Sequence, residues 1–112
     1  MAAVGPQETA ITRVQQQVLE QLDQTFTVQS LARMASMSPR HFARVFAQEV
    51  GMTPMAFLQG ARIDHARQLL ETSDLPLKTV AFKSGFGSVR HMRFLFNERL
   101  GLTPAHYREQ FS

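Results

Sequence analysis

The sequence of 112 residues contains no cysteine and no long hydrophobic run. Without cysteine there can be no disulfide framework, thiol nucleophile or thiolate metal site. No apolar run approaches the roughly 18 residues that a membrane-spanning helix needs, and residues 1–10 lack the basic and then apolar layout of a signal peptide. We therefore expect a protein of the cytoplasm with no membrane partner.

The balance of charge shifts along the chain. Residues 1–25 carry Glu8, Glu20 and Asp23 against Arg13, so the rest of the chain holds 11 basic and six acidic residues. Excess arginine on a small domain favours a phosphate-rich partner, although a mild excess is also ordinary for a solvated surface. Charge alone therefore leaves nucleic acid as one option.

The four histidines do not form a catalytic or metal-binding pattern. They lack companion ligands at motif spacing, and no serine lies in a nucleophile elbow. His41 and His91 instead share one position of an internal repeat, which favours a packing or capping role. The sequence thus predicts no enzyme activity, no cofactor and no metal ion.

Short motifs mark the helix boundaries. Ser38-Pro39, Thr53-Pro54 and Thr103-Pro104 each place a capping hydroxyl before a proline suited to the first helical position. Gly51 and Gly101 suit the left-handed residue that ends a helix. With the apolar spacing, these marks predict no strand and seven helices, over residues 9–23, 28–36, 39–50, 54–72, 77–84, 89–100 and 104–110.

An internal repeat relates two segments of the chain. Residues 38–57 align with residues 88–107 at a constant offset of 50, and seven aligned pairs are identical. Upstream the register shifts by one, so that Leu31-Ala32 pairs with Val80-Ala81 and the extra residue falls in the turn Gly85-Phe86-Gly87. Each copy is a short helix, a tight turn and a longer second helix, which is the order of a helix-turn-helix unit.

The repeat predicts an all-α fold with two helix-turn-helix units joined by a long helix. We expect residues 1–8 to be a flexible segment, residues 9–53 and 73–112 to be the two units, and residues 54–72 to be the linker helix. A helix of that length spans about 27 Å. It could hold two second helices on one face of a DNA duplex about one turn, roughly 34 Å, apart.

The second helix of each unit has one apolar face and one outward face. The outward residues are Arg40, Ala43, Arg44 and Ala47 in the first unit and Arg90, Arg93, Phe94 and Asn97 in the second. Arginine can donate two hydrogen bonds to guanine, asparagine suits adenine, and an apolar side chain can meet the methyl group of thymine. Both faces are therefore candidates for reading a major groove, with a solvated surface as the alternative for either helix alone.

Phe94 is the exception among these outward residues. It could meet a thymine methyl group, fold back onto its own helix or face another domain, and the sequence does not separate these options. Nearly all the other phenylalanines lie at core spacing, so the stacking aromatics expected for binding single-stranded RNA are absent.

Other polar residues are candidates for phosphate contacts, which position a protein on DNA without reading bases. They are Arg33, Arg62, Arg67, Lys78, Lys83 and Asn97. For any one of them, ordinary solvation is the alternative.

Four motifs resemble the AraC/XylS family of bacterial transcription regulators. They are Leu31-Ala-Arg-Met-Ala, Ser38-Pro-Arg-His-Phe-Ala-Arg-Val-Phe, Gly85-Phe-Gly-Ser and Gly101-Leu-Thr-Pro-Ala-His-Tyr-Arg. The resemblance covers about residues 9–110 and implies a double helix-turn-helix domain that binds double-stranded promoter DNA in the nucleoid, with RNA polymerase as a partner. The base-reading residues that it carries over are Arg40, Ala43, Arg44, Val89 and Arg90.

The resemblance also has departures and limits. Family members usually have arginine where this sequence has Phe94 and a small polar residue where it has Arg93, so the base preference of the second unit is not carried over. The Phe-Gly-Ser-x-x-His spacing is similar to members with an upstream DJ-1/PfpI-like domain. The resemblance therefore implies a missing N-terminal sensor and dimerisation domain, although short stand-alone members exist.

One alternative of a different class stays open. The two units could form a protein-interaction module, with Phe94 in an exposed apolar patch. Such a module would bind DNA weakly and without sequence preference.

Overall fold

The structure, a computed structural model, describes residues 9–111. Those residues form seven α-helices and no strand, which confirms the predicted all-α class. The helices are α1 Ala10–Glu20, α2 Val28–Met34, α3 Pro39–Val50, α4 Pro54–Thr72, α5 Leu77–Lys83, α6 Val89–Leu100 and α7 Pro104–Glu109. The segment predicted to be flexible, residues 1–8, lies outside the described residues.

The predicted helix boundaries are set by hydroxyl caps and glycines. Ser38, Thr53 and Thr103 each accept a hydrogen bond from the backbone N–H three residues later, at 3.1 to 3.2 Å. Gly51 and Gly101 are left-handed, with φ of 87° and 75°, and end α3 and α6 as predicted. Helices α2, α5 and α7 end one or two residues before their predicted ends, and α1 is shorter than the predicted residues 9–23. It ends early because the next N–H turns back three residues to the carbonyl of Val18.

Contacts divide the chain into two compact units. The first runs up to Gln21 and then includes Phe26–Leu58, and the second includes Leu22–Thr25 and the chain from Gln59 onward. The segment Leu22–Thr25, between α1 and α2, therefore belongs to the second unit. Helix α4 contributes its first turn to one unit and the rest to the other.

The core of the first unit is built around two phenylalanines of α3. Phe42 and Phe46 are buried, and their ring centroids lie 5.5 Å apart. Phe57 of α4 meets the ring of Phe46 edge-on at 5.6 Å. Helix α1 adds a buried stripe at helical spacing, and α2 adds Leu31 and Ala32. These contacts pack one face of α3 against the rest of the first unit.

The core of the second unit repeats this arrangement on α6. Its buried residues are Ile63, Ala66, Leu70, Val80, Ala81, Phe86, Met92, Leu95, Phe96 and Tyr107. Those from α4 recur at the three- and four-residue spacing of one helix face. As in the first unit, the second helix of the motif is packed by one side.

The two turns match in their hydrogen bonding. In the first unit the N–H of Met37 bonds to the carbonyl of Ala32 at 3.0 Å, and in the second the N–H of Phe86 bonds to that of Ala81 at 2.9 Å. Each turn has a residue with positive φ just before that N–H, Ser36 in one unit and Gly85 in the other. Ser36 and Gly85 are 49 residues apart, as are Met37 and Phe86, whereas the capping serines that follow, Ser38 and Ser88, are 50 residues apart. The extra residue is therefore Gly87.

Gly85 has a second role in the second unit, because the chain passes very close to it. A Cβ atom at this position would lie 1.9 Å from the carbonyl oxygen of Leu22 and 2.5 Å from Nε of Arg62. Arg62 donates to the carbonyls of Leu22 at 3.2 Å and Gln24 at 2.7 Å. Arg62 thus binds the segment Leu22–Thr25 through hydrogen bonds, and the missing side chain at Gly85 leaves space for that segment.

Helix α7 is held by a polar contact between Tyr107 and α4. The hydroxyl of Tyr107 donates to the carboxylate of Glu71 and accepts from Nε of Arg67 at 3.1 Å. The Arg67 guanidinium also lies 5.7 Å from the centre of the Tyr107 ring. The hydrogen bond to Tyr107, helped by the nearby carboxylates of Asp64 and Glu71, raises the pKa of Arg67.

We expect Gly85→Ala to be far more destabilising than Gly101→Ala. Both glycines have positive φ, so alanine adds about 1 to 2 kcal/mol of backbone strain at either position. Only at Gly85 does the new methyl group also collide with a backbone carbonyl. We therefore expect a loss of more than about 3 kcal/mol there. Urea denaturation measures both losses, and equal values for the two variants would contradict the close approach.

We expect Tyr107→Phe to lower the free energy of unfolding by about 1 to 3 kcal/mol, since it leaves Glu71 and Arg67 without their shared hydroxyl partner. The matched control is His106→Gln on the same helix, whose side chain is exposed. This control should stay within about 0.5 kcal/mol of the wild type. If both variants unfold at the same urea concentration, the hydroxyl contributes nothing to the attachment of α7.

Candidate nucleic-acid interface

The outward face of α3 follows from what the helix buries. Two residues along an α-helix correspond to a rotation of about 200°. Arg44 follows buried Phe42 by two residues and precedes buried Phe46 by two, so its side chain points away from the core. Arg40 and Arg44 are exposed and Ala43 is half-buried. The three base-reading candidates of this helix are thus brought together on one face.

A contact on this face was not predicted from the sequence. The Arg44 guanidinium donates a hydrogen bond to Nδ1 of His41, with the nitrogens 2.9 Å apart. Because guanidinium groups can only donate, this nitrogen of His41 acts as the acceptor. The signal in the sequence is the three-residue spacing, which places both side chains on neighbouring parts of the helix surface.

The outward face of α6 has a different composition. Arg90, Arg93 and Asn97 are exposed, whereas Val89 is half-buried and packs against the core of the second unit. Phe94 lies two residues from both Met92 and Phe96, which are buried, and it is 61% exposed. The ring therefore lies outside the core of the second unit, on the outward face of α6.

The expectation that nearly all other phenylalanines lie in the core was wrong. Phe82 is 70% exposed and Phe111 is 51% exposed. Phe82 occupies the side of α5 opposite the buried residues Val80 and Ala81 of the short helix. Apolar spacing alone did not reveal this, because a seven-residue helix is too short to show a clear period.

The two equivalent histidines share a backbone role and differ in their rings. The N–H of His41 donates to Ser38, and that of His91 donates to Ser88. The His41 ring accepts from Arg44, whereas the His91 ring meets Phe86 edge-on at 5.9 Å. The difference follows from the repeat, since the position equivalent to Arg44 is occupied by Phe94.

The candidates for phosphate contacts fall into two groups. Arg33, Lys78, Lys83 and Asn97 have exposed side chains. Arg62 is half-buried with its guanidinium bonded to two backbone carbonyls, and burial lowers its pKa. Arg67 is bonded to Tyr107 and Asp64. We therefore leave Arg62 and Arg67 out of the phosphate-contacting set proposed below, because both hold the fold together.

Residues 9–111 provide neither a metal-binding cluster nor a membrane-spanning helix. No group of three or more histidine, aspartate or glutamate side chains in this part of the chain is placed to hold a metal ion. None of the helices described for these residues is long and apolar enough to cross a membrane.

Known proteins with related sequences are transcription regulators. The profile of a family described as "Helix-turn-helix domain" matches residues 31–110. A helix-turn-helix transcriptional regulator of Mycobacterium tuberculosis is 42% identical over 82 residues, which are 73% of this chain and 32% of that protein. The activator RclR of Escherichia coli is 37% identical over 95 residues, 85% of this chain and 34% of that protein. The chain thus spans about a third of the length of these relatives.

A solved structure has the same fold over most of the chain. The DNA-binding domain of the global transcriptional factor AdpA, determined in complex with a target DNA, superposes with a TM-score of 0.89. The two sequences are 38% identical, and the match covers 92% of this chain and 93% of that one. Because the family profile extends through both units and includes the motifs that resemble AraC/XylS regulators, this chain belongs to the AraC-type helix-turn-helix family of transcription regulators.

Proposed function

We propose that this chain is the sequence-specific DNA-binding domain of a bacterial transcription regulator, and that α3 and α6 each insert into the major groove of promoter DNA. One observation carries the proposal: both units bury one side of a capped second helix and leave arginines exposed on the other. The helix diameter matches the width of the groove, and arginine has the donor geometry to read guanine.

The proposed contacts divide into two classes. Arg40, Ala43, Arg44, Val89, Arg90, Arg93 and Phe94 form the base-reading set. The exposed residues Arg33, Lys78, Lys83 and Asn97 form the phosphate-contacting set, which supplies salt-dependent affinity without base preference. We further propose that the two helices occupy successive major-groove segments, about one helical turn apart.

Since the chain spans only about a third of the length of these relatives, we propose that effector binding and dimerisation belong to an additional N-terminal domain. We also propose RNA polymerase as a further partner. The domain itself is expected to bind and not to catalyse, and to act at the nucleoid in the cytoplasm.

A second candidate function is a protein-interaction module derived from the same fold. The observation in its favour is the exposure of two large aromatic side chains, Phe82 and Phe94, in the second unit. Exposed apolar patches are typical of protein-interaction surfaces. This candidate predicts DNA affinity that depends on salt and not on base sequence.

Selection from a random library of DNA duplexes, at two salt concentrations, separates the two functions. Enrichment of a sequence with two half-sites about one turn apart supports the proposed function. No enrichment, with an affinity that changes only with salt, supports the interaction module.

We expect Arg40→Ala, Arg44→Ala and Arg90→Ala each to weaken binding to the selected duplex by about 1 to 3 kcal/mol and to relax preference at one base pair. The matched control is Arg99→Ala, because Arg99 lies on α6 but donates towards Gln59 of α4 at 3.4 Å. Its base preferences should match those of the wild type. Equal losses on all duplex sequences would instead place the three arginines at phosphates.

We expect Lys78→Ala and Lys83→Ala each to reduce the slope of log affinity against log salt concentration by about 1, because each removes one phosphate contact. Base preference should not change. Arg62→Gln removes the same charge from a group that is bonded within the protein. It should lower the free energy of unfolding and leave the salt slope unchanged, and a reduced slope would return Arg62 to the phosphate-contacting set.

A further inference from the structure

We propose that Phe94 selects thymine in the half-site of the second unit by packing its ring against the 5-methyl group of that base. This inference rests on the proposed function and adds the chemistry by which α6 distinguishes its target. It also assigns the two units different base preferences.

The first support is the position of the ring. Phe94 is 61% exposed, whereas Met92, Leu95 and Phe96 of the same helix are buried. The flanking buried residues, each two positions away, fix Phe94 on the outward side of α6. Covering an exposed aromatic side chain with apolar surface lowers the free energy. An exposed Phe94 ring therefore favours contact with an apolar partner from outside the domain.

The second support is the chemistry of its neighbours. Arg90 precedes Phe94 by four residues and Asn97 follows it by three, so all three share one helix face. Arg90 and Asn97 are exposed. The side chain of Arg90 matches the hydrogen-bonding edge of guanine, and Asn97 belongs to the proposed phosphate-contacting set. Within a major groove, the apolar group available to a ring between them is the methyl group of thymine.

The third support is the comparison with the first unit. The repeat places Arg44 where the second unit has Phe94. Arg44 is a hydrogen-bond donor oriented by His41, and its aromatic counterpart has no hydrogen bond to offer. The equivalent His91 correspondingly packs on Phe86. We therefore infer that the first unit prefers guanine and the second prefers thymine at the corresponding step.

The test replaces thymine by uracil, which removes the methyl group and keeps the base pair. The duplex is the one selected by the wild-type chain, and the position is the thymine whose preference Phe94→Ala relaxes. Burial of one methyl group corresponds to about 0.8 kcal/mol, so wild-type affinity should fall roughly fourfold. Phe94→Ala should bind the thymine and uracil duplexes equally. At the same position, 5-methylcytosine should bind the wild type more tightly than cytosine.

Phe82→Ala is the matched control, since it removes an exposed phenylalanine from α5 and not from the outward face of α6. It should keep the wild-type discrimination between thymine and uracil. Phe94→Arg should move the preference at this position from thymine to guanine, as at Arg44. This variant keeps an exposed side chain and is expected to fold like the wild type.

If the wild type enriches a specific duplex but binds its thymine and uracil forms equally, the inference about Phe94 is overturned and the proposed function stands. If Phe94→Ala leaves the affinity and every base preference unchanged, Phe94 does not contact DNA, and the inference is overturned in favour of a protein contact. If no duplex sequence is enriched, the proposed function itself fails.

Discussion

Each unit depends on the burial of one side of its second helix. Phe42 and Phe46 on α3, and Met92 and Phe96 on α6, are almost completely buried. Residues midway between two such positions are turned about 200° away from both. The residue types that the core needs therefore decide which side chains face outward. A substitution that moved the packed stripe by one residue would turn a different set of side chains outward.

The rest of each unit fixes where this helix begins and how it is oriented. The serine before each second helix caps it, and a left-handed glycine ends it. The preceding turn closes with the same hydrogen bond in both units. The two turns differ in which residue type fits at the position of positive φ. Ser36 is accepted in the first unit, whereas in the second a carbonyl oxygen occupies the space that a side chain would need.

Much of the fold could be predicted from the sequence because its signals are local. Caps, prolines and terminal glycines act within one turn of a helix, and the repeat shows the same order twice. The roles of Arg62 and Arg67 could not be predicted in this way, because their partners lie about 40 residues away in sequence. Spacing identifies a charged side chain near a surface, but it does not show which carbonyl or hydroxyl the fold brings to it.

The site was predictable to a similar extent. The outward positions follow from helical period once the buried stripe is known, so Arg40, Arg44, Arg90 and Phe94 were identified correctly as exposed residues of one face in each unit. The individual contacts of these side chains could not be predicted from the sequence. The bond between Arg44 and His41 depends on side-chain rotamers, and the exposure of Phe82 depends on how a short helix is packed.

The placement of Leu22–Thr25 has a consequence for how the chain is made. This segment lies between two helices of the first unit, yet its carbonyls are held by Arg62, which is about 40 residues later. During synthesis the segment emerges from the ribosome before its partners exist, so the sequence of the first unit is complete while this segment of the second unit is still without its partners. The chain can consequently not be divided into two independent pieces by a single cut, and a fragment that begins after α3 would lack part of the unit it was meant to contain.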